Sequence, residues 1–197
     1  MFDIYKCNEG DSARFLLGIS GRPTLIVVGL NPSTASSDKS DTTVSKVRQA
    51  AQNAGYLGFV MTNLYPLRST DPQGLPERHS AELLNENIQH IECIASSETS
   101  PTFWAAWGSG IVLRPYLKQA MTDLNRMVQR VNGKWVQFGE LTQRNHPRHP
   151  SRLGYNWRFT EFDIAGYERS LHNKANHSDG FSVAAPPSLQ TRTCWRR

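Results

Sequence analysis

The sequence predicts an α/β fold: a three-layer α/β/α domain with a mainly parallel four-stranded central sheet. Short apolar runs alternate along the chain with segments of helical periodicity, which is typical of strands that pair in parallel through helical crossovers. Several of these runs are apolar throughout, as expected of strands that are buried on both faces. Each run also ends in a short polar motif, and ligands of open α/β sheets bind at the carboxyl ends of the strands.

The first predicted strands lie on either side of a turn. Residues 15–19 form a short apolar run that we expect to join one edge of the sheet as an antiparallel hairpin strand, and residues 20–23 (SGRP) indicate the turn. Residues 24–29 (TLIVVG) have the composition of a buried strand. Asp41 can cap the helix that follows, and Gly55 can end it. The apolar face of this helix comprises Val44, Val47, Ala51 and Ala54.

Three further strands and two helices are predicted along the rest of the chain. The strands are residues 58–62 (GFVMT), 102–107 (TFWAAW) and 135–138 (WVQF). Residues 65–78 hold three prolines and form a longer connection than usual, and long loops are often functional. Apolar residues at helical spacing mark one helix at Leu84, Ile88, Ile91 and Ala95, and another at Leu113, Leu117, Ala120, Leu124 and Met127.

We expect one domain over residues 1–172 and a disordered tail over residues 173–197. A chain of 197 residues is long enough for one well-packed core. In the tail Asn, Ser, Pro and Thr dominate, and too few large apolar residues remain for it to fold alone. The tail is either inert or, through Trp195 and its neighbouring arginines, a source of non-specific affinity for nucleic acid.

The composition favours a cytoplasmic protein without a metal or another cofactor. No apolar run approaches the roughly 20 residues that span a bilayer, so we expect no membrane partner. The first residues also lack the basic and then apolar order of a signal peptide. Cys7, Cys93 and Cys194 are far apart, and no CxxC pair provides the spacing of a zinc or iron–sulfur site.

The net charge of +5 is distributed unevenly along the chain. Residues 1–98 carry 8 basic and 11 acidic side chains, whereas residues 99–197 carry 14 basic and 6 acidic ones. Residues 144–158 contain four arginines and no carboxylate. Clustered guanidinium groups beside a pocket suit a phosphate-bearing partner, and the alternative is an ordinary solvated loop.

Four polar motifs are predicted to meet at one edge of the sheet and to form a pocket. They are GLNPS at residues 29–33, TNLY at 62–65, WGSG at 107–110 and HPRHPS at 146–151. Side chains that we expect around the cleft are Asn31, Pro32, Asn63, Tyr65, Trp107 and His149, with Arg148 and Arg152 as phosphate-binding residues on its rim. Substrate contacts are also expected from Gly29, Ser33 and Gly108.

Each of these residue types has a functional and a structural interpretation. Asn31 can hold a water or a polar ligand edge, or it can close the strand in an Asx-turn. Asn63 can read a nucleobase edge, or it can cap exposed backbone. Tyr65 could stack on a ring, although Tyr65 and Trp107 could equally belong to the core.

His149 is the strongest candidate for chemistry. Histidine is the usual side chain that donates to or accepts from a reacting atom near neutral pH. His-Pro occurs twice in this loop beside arginines, a composition that is unusual for a protein core. We therefore expect His149 to act in the pocket, and Ser33 to offer further donors for an anion.

The first motif and the segment after it resemble a family of bacterial and phage proteins, domain of unknown function 1643. The residues that carry the resemblance are VGLNPSTA at 28–35, DTTV at 41–44, NL at 63–64, WG at 107–108 and HPRHP at 146–150. The resemblance covers roughly residues 14–155, and it implies no established activity. Thr42 departs from the family, which more often has an acidic or proline-rich version of this segment.

The same four motifs, in the same order, are also similar to the uracil-DNA glycosylase superfamily. The resemblance implies a uracil-DNA glycosylase-like fold, in which Asn31 positions the attacking water and Asn63 reads the pyrimidine edge. Residues 149–153 (HPSRL) resemble the loop that stabilises the leaving base and enters the minor groove. The chain departs from this superfamily in having no Asp at position 31, and Ala35 and two serines where a base-stacking Phe is usual.

Together these patterns predict a nucleobase-binding enzyme that acts on an N-glycosidic bond in DNA or in a nucleotide. Asn31 and His149 would be the catalytic residues, and no cofactor is needed. One alternative is an enzyme on free nucleotides or modified bases that uses the same pocket. The other is a catalytically silent module that binds nucleic acid, which would share a steep salt dependence with a DNA enzyme.

Overall fold

Seven strands and four α-helices make up the part of the chain that the structure, a computed structural model, describes. The described residues are 2–33, 35, 42–154 and 156–178, and side chains are described as far as residue 171. The strands are β1 Ile4–Cys7, β2 Arg14–Ile19, β3 Thr24–Gly29, β4 Gly58–Asn63, β5 Thr102–Ala105, β6 Lys134–Phe138 and β7 Phe159–Glu161. The helices are α1 Thr42–Asn53, α2 Ala81–Ala95, α3 Pro115–Arg130 and α4 Ile164–Ser178.

The strands form one mixed sheet in the order β1-β2-β4-β3-β5-β6-β7. Strand β3 pairs in parallel with β4 and β5, and β5 pairs in parallel with β6. The remaining pairs, β1 with β2, β2 with β4, and β6 with β7, are antiparallel. The prediction of a four-stranded, mainly parallel sheet of the uracil-DNA glycosylase type is therefore wrong.

The prediction missed the antiparallel strands at the two edges of the sheet, β1 and β7. Strands β1 and β7 are short and largely half-buried or exposed, so neither has the continuous apolar run that marks a buried strand in a sequence. Their pairing satisfies the backbone groups of the neighbouring strands. The predicted strand at residues 15–19 is present within β2 and is antiparallel, but β1 covers its outer side, so it is not an edge strand.

The two faces of the sheet are covered by different helices. Alternating residues of β3 divide between them, since Ile26 and Val28 pack with α2, α3 and α4, while Leu25 and Val27 pack with α1. The α1 face also receives Phe138 and Phe159 from the last two strands. Both faces are thus covered along the parallel strands.

The carboxyl ends of β3 and β4 lie side by side, because Gly29 is the register partner of Asn63. Pairing continues past the strands through the bonds from Leu64 N–H to Gly29 O, at 2.9 Å, and from Tyr65 N–H to Leu30 O, at 3.0 Å. The long loop over residues 65–78 is bound to the first loop as well, since Ser69 N–H donates to Pro32 O at 2.9 Å. The backbone of both loops is therefore fixed at this edge of the sheet.

The last described element, α4, overlaps the beginning of the tail that was expected to be disordered over residues 173–197. Helix α4 extends to Ser178, and residues 179–197 of the expected tail lie outside the described residues. Within the described part of the chain, none of the helices combines the length and the apolar character that crossing a bilayer requires.

Candidate functional site

A cavity of about 200 Å³ opens at the carboxyl edge of β3 and β4. It contains five of the residues predicted to bind or act on a substrate: Gly29, Asn31, Ser33, Asn63 and His149. Arg14, Thr43, Val44, Met61, Ser69, Thr70, Pro72 and Pro150 complete the described wall. The described lining includes no Asp or Glu, so its polar groups are amides, hydroxyls, one imidazole and one guanidinium.

Asn63 presents an amide to this cavity from the last position of β4. Its backbone carbonyl accepts a hydrogen bond from Asn87 Nδ2 at 2.8 Å, which fixes the strand end. Gly29 leaves room for the side chain, because a Cβ at Gly29 would lie 2.7 Å from Asn63 Oδ1. The Asn63 side chain is nearly fully buried, with the residue 2% exposed, and its Nδ2 has no hydrogen-bond partner among the described residues.

A buried amide N–H without an acceptor costs about 1–3 kcal/mol. A bound ligand or water that supplies the missing partner is one explanation for such a group. Arg14 Nε, Asn87 Oδ1 and Trp104 Nε1 are in the same state among the described residues, and of these three residues only Arg14 also lines the cavity. The Nδ2 of Asn63 is therefore a buried donor at the cavity wall that the described residues leave without an acceptor.

Asn31 faces the same cavity with its amide held in one orientation. Its Nδ2 donates to Ser69 O at 2.9 Å and to Pro32 O at 3.1 Å. Two carbonyl acceptors assign the NH₂ group to this side of the amide. The Oδ1 of Asn31 then remains as an acceptor, and it is the group that could hold a water.

His149 begins the short 3-10 helix Pro150–Arg152 and caps it. Its Nδ1 accepts from Ser151 N–H at 3.2 Å and lies 2.8 Å from Ser151 Oγ. With Nδ1 as the acceptor, the neutral imidazole carries its hydrogen on Nε2. Gly108 packs against His149, because a Cβ at Gly108 would lie 3.4 Å from His149 Cβ. The φ of Gly108 is +68°, in the left-handed region that favours glycine.

Two arginines that the sequence did not single out support the first loop. Arg14, only 3% exposed, lines the cavity and donates from Nη1 to Ala35 O at 2.6 Å. Arg68 donates from Nη1 to Ser33 O at 2.7 Å and to Ala35 O at 3.0 Å. An arginine at the start of an apolar strand was the signal for Arg14, because a buried guanidinium needs such fixed acceptors.

Arg68 is itself held by an ion pair outside the cavity. Its Nη2 lies 3.0 Å from Asp11 Oδ1 and donates to Tyr5 Oη at 2.7 Å. Burial acts to raise the pKa of Asp11, but hydrogen bonds from Tyr5 and Arg68 outweigh it, and the pKa of the carboxyl lies below its ordinary value. The charged form of Asp11 is thus the one that supports the loop.

A family model described as "Protein of unknown function (DUF1643)" matches residues 14–151. The chain belongs to this family. The match begins at the first residue of β2 and ends before β7 and α4, and every described residue of the cavity lies inside it. No curated protein matches the DUF1643 chain, and no solved structure matches it either.

Two aromatic residues predicted to line the cleft lie in the core of the DUF1643 protein instead. Tyr65 is buried, packs against Tyr116 with ring centroids 5.1 Å apart and the rings inclined by 57°, and accepts from Ser80 N–H at 3.1 Å through its hydroxyl. Trp107, which is 1% exposed, donates from Nε1 to Tyr167 Oη at 3.2 Å. Both pack on the α2–α4 face, so neither ring can stack on a ligand in the cavity.

The remaining predicted residues lie around the cavity rather than in its wall. Pro32 is buried behind Asn31, and Gly108 contacts His149 from the outside. Arg148 donates from Nε to Glu140 O at 2.8 Å, and its guanidinium lies 4.9 Å from the ring centroid of Trp157. Arg152 is exposed at the end of the 3-10 helix.

The wall of the cavity suits a small planar ligand with several polar edges. Its volume is below the roughly 300–1,000 Å³ of pockets that hold drug-sized ligands, so it accommodates a single ring system. The amides of Asn31 and Asn63 and the imidazole of His149 lie in this wall, and groups of these types pair with the polar edges of such a ligand. Among the described residues, no group of three or more His, Cys, Asp or Glu side chains is placed to hold a metal ion.

Proposed function

We propose that this DUF1643 protein binds a nucleobase in the cavity and hydrolyses the N-glycosidic bond that joins it to a sugar, in DNA or in a nucleotide. The observation that carries the proposal is Asn63, a buried amide at the cavity wall whose Nδ2 has no partner among the described residues. An amide is the side chain that pairs with the adjacent donor and acceptor of a base edge. A pyrimidine fits a cavity of about 200 Å³ better than a whole nucleotide does.

In the hydrolysis, Asn31 would act on the attacking water and His149 on the departing base. A water held by Asn31 Oδ1 attacks C1′ of the sugar, the bond from C1′ to the base nitrogen breaks, and its electron pair stays on the base. The Nε2–H of His149 donates to the base as negative charge grows on it. The proton of the attacking water is lost to solvent.

The described residues of the cavity are better suited to stabilise the departing base than to activate the water. No carboxylate lies among its described lining residues, and an amide oxygen can orient a water without taking its proton. The positive charge of Arg14 in the wall favours the developing anion as well. We therefore expect activity on bases that are good leaving groups and little on ordinary pyrimidines.

A catalytically silent module that binds nucleic acid is the second candidate. It is favoured by the same lack of a carboxylate in the described wall, because binding a base needs no proton acceptor. The enzyme and the silent module predict equal binding and differ only in cleavage.

Incubation with duplex and single-stranded oligonucleotides that carry uracil, mismatched thymine or modified pyrimidines tests the proposal. The readout is the formation of abasic sites, detected by strand cleavage in alkali. We expect cleavage of at least one substrate, and a loss of about 10²–10³-fold with His149→Ala, as for removal of one donor to a developing anion. His90→Ala on α2, which lies outside the cavity, is the matched control and should keep the wild-type rate.

Two outcomes would reject the enzyme. If no substrate yields abasic sites although oligonucleotides bind, the silent module is correct. If cleavage occurs and His149→Ala leaves its rate unchanged, the chemistry takes place elsewhere in the chain.

A further inference from the structure

We infer that a second groove, between α1 and residues 153–154 and 157–159, binds a neighbouring base of a single-stranded nucleic acid whose target base occupies the cavity. The inference rests on the proposed function and names its substrate class. Two adjoining openings of about 510 and about 80 Å³ form this groove. They are continuous because both are lined by Ala50, Asn53 and Phe138.

Trp157 is held as a fixed wall of the groove. A Cβ at Gly139 would lie 2.5 Å from its Cδ2, and a Cβ at Gly154 would lie 2.7 Å from its Nε1, so the indole fits against two residues without side chains. The guanidinium of Arg148 lies 4.9 Å from the ring centroid. The indole is nevertheless only half-buried, so the surrounding chain keeps part of an aromatic surface accessible.

The other aromatic side chains of the groove are packed on the sheet. Phe138 and Phe159 have ring centroids 4.7 Å apart, and Trp104 beneath them lies 5.4 and 5.0 Å from the two rings. Trp104 is fully buried, whereas Phe138 and Phe159 are half-buried. The groove therefore has a preformed aromatic surface, and bases stack on such surfaces without regard to their sequence.

The charges around the groove select a ligand with phosphates. Lys46 and Arg158 lie in its wall, with the amides of Gln49 and Asn53, and the described lining includes no carboxylate. A combination of basic side chains with aromatic platforms is the usual arrangement for single-stranded nucleic acid. The bases of a duplex are already stacked on each other, so their faces are not free to use this surface.

Helix α1 connects the groove to the cavity. Val44 lines the cavity and Asn53 lines the groove, and a rise of about 1.5 Å per residue separates them by about 13 Å along the helix axis. Lys46 lies between them and donates from Nζ to Ser151 O at 2.7 Å, on the 3-10 helix that also carries His149. One strand of a few nucleotides can span both sites.

The test compares two probes on the full-length chain. One is a pyrimidine nucleoside, which is small enough for the cavity alone, and the other is a fluorescent single-stranded oligonucleotide of about eight nucleotides. Arg158→Glu should weaken oligonucleotide binding by about tenfold and reduce its salt dependence by about one phosphate contact. Lys134→Glu introduces the same charge change at the first residue of β6, whereas the groove residue Phe138 is the last. This variant should leave the oligonucleotide affinity unchanged.

The aromatic contribution is tested separately at Trp157. Trp157→Phe keeps a ring in the groove and should retain most of the oligonucleotide affinity, whereas Trp157→Leu should lose it to a similar extent as Arg158→Glu. All of these variants should bind the nucleoside within about twofold of wild type, since the cavity is untouched. Unfolding curves for each variant separate loss of binding from loss of fold.

Several outcomes would overturn the inference. Equal loss with Arg158→Glu and Lys134→Glu would mean that only net charge matters. Duplex binding as tight as single-strand binding, with the same dependence on Arg158, would exclude the single strand as the preferred ligand. Nucleoside binding without oligonucleotide binding would reject the groove and leave the proposed function intact, whereas the reverse result would reject the cavity instead.

Discussion

The two histidines of the loop at residues 146–149 have opposite environments, although only two residues separate them. His146 is 6% exposed, and its Nδ1 lies 2.8 Å from Tyr167 Oη. That hydroxyl also accepts from Trp107 Nε1 at 3.2 Å, so His146 belongs to a hydrogen-bonded network inside the core. His149 instead lines the cavity and is oriented by a hydrogen bond from the backbone of its own short helix. The comparison teaches that two histidines of one loop can have unrelated roles, and that their partners in the fold distinguish a core histidine from a histidine at the cavity.

The same contrast divides the motif at residues 62–65. Asn63 lines the cavity, and Tyr65, two positions later, packs with α3 on the other face of the sheet. Alternation would put both side chains on one face if the strand continued. Strand β4 ends at Asn63, however, and the alternation ends with it.

The largest expected effect is the loss of stability when an aromatic side chain of the core is removed, compared with one at the cavity. Trp107→Ala should lower the free energy of unfolding by about 3–5 kcal/mol, because it removes a fully buried ring that contacts three other aromatic side chains. His149→Ala should cost only about 1 kcal/mol, the usual value of a lost helix cap. Urea unfolding measures both, and similar losses for the two variants would contradict the division.

A smaller effect is expected at the hydroxyl that Trp107 and His146 share. Tyr167→Phe removes the partner of Trp107 Nε1 and of His146 Nδ1. We expect a loss of about 1–3 kcal/mol in the free energy of unfolding, as for buried polar groups that lose a hydrogen bond. Nucleoside affinity is the control, and a change of more than about twofold would connect this network to the cavity.

Gly29→Ala should affect the cavity more than the core. The new Cβ would lie 2.7 Å from Asn63 Oδ1, so the amide has to move. We expect nucleoside affinity to fall by about tenfold, which corresponds to about 1.4 kcal/mol. Titration calorimetry measures the affinity, and thermal unfolding shows whether the variant is folded. Wild-type affinity in a folded variant would mean that the position of the Asn63 amide is unimportant.

The smallest effect is a pH dependence of the first loop. Because the pKa of Asp11 is lowered in the folded chain, its contribution to stability is present above the ordinary pKa of about 3.9 and is lost as the pH falls through the lower folded value. The side chain is 46% exposed, so we expect less than about 1 kcal/mol. Asp11→Asn should remove this part of the acid sensitivity, and an unchanged pH profile of unfolding would show that the ion pair with Arg68 contributes nothing.

Much of the fold could be predicted from the sequence, because its buried strands have continuous apolar runs. Strands β3, β4 and β5 each have such a run, whereas in β6 (KWVQF) only Trp135 is buried. The outer strands could not be predicted this way. In β1 most positions are half-buried and in β7 most are exposed, so their hydrogen bonds to neighbours, rather than their composition, define them as strands.

The site divides in the same way. Asn31 and Asn63 could be singled out because they end or follow buried strands, where a parallel sheet places its ligands. Arg14 leaves one local signal, a charged residue at the start of an apolar strand, and Arg68 leaves none. The role of each depends on bonds to Ser33 O or Ala35 O, which lie more than twenty positions away. Long-range partners of this kind leave no local pattern in the sequence.

Binding of a pyrimidine nucleoside to wild-type and Asn63→Leu chains tests the central claim most directly. The substitution keeps a side chain of similar size and removes the amide that the cavity presents. Asn85→Leu on α2 is the matched control, since Asn85 is exposed and lines neither the cavity nor the groove. Titration calorimetry should show nucleoside binding that Asn63→Leu weakens at least about tenfold and Asn85→Leu leaves unchanged. Equal affinity of Asn63→Leu and wild type, or no binding of any nucleoside to the wild-type chain, would contradict the assignment of the cavity to a nucleobase.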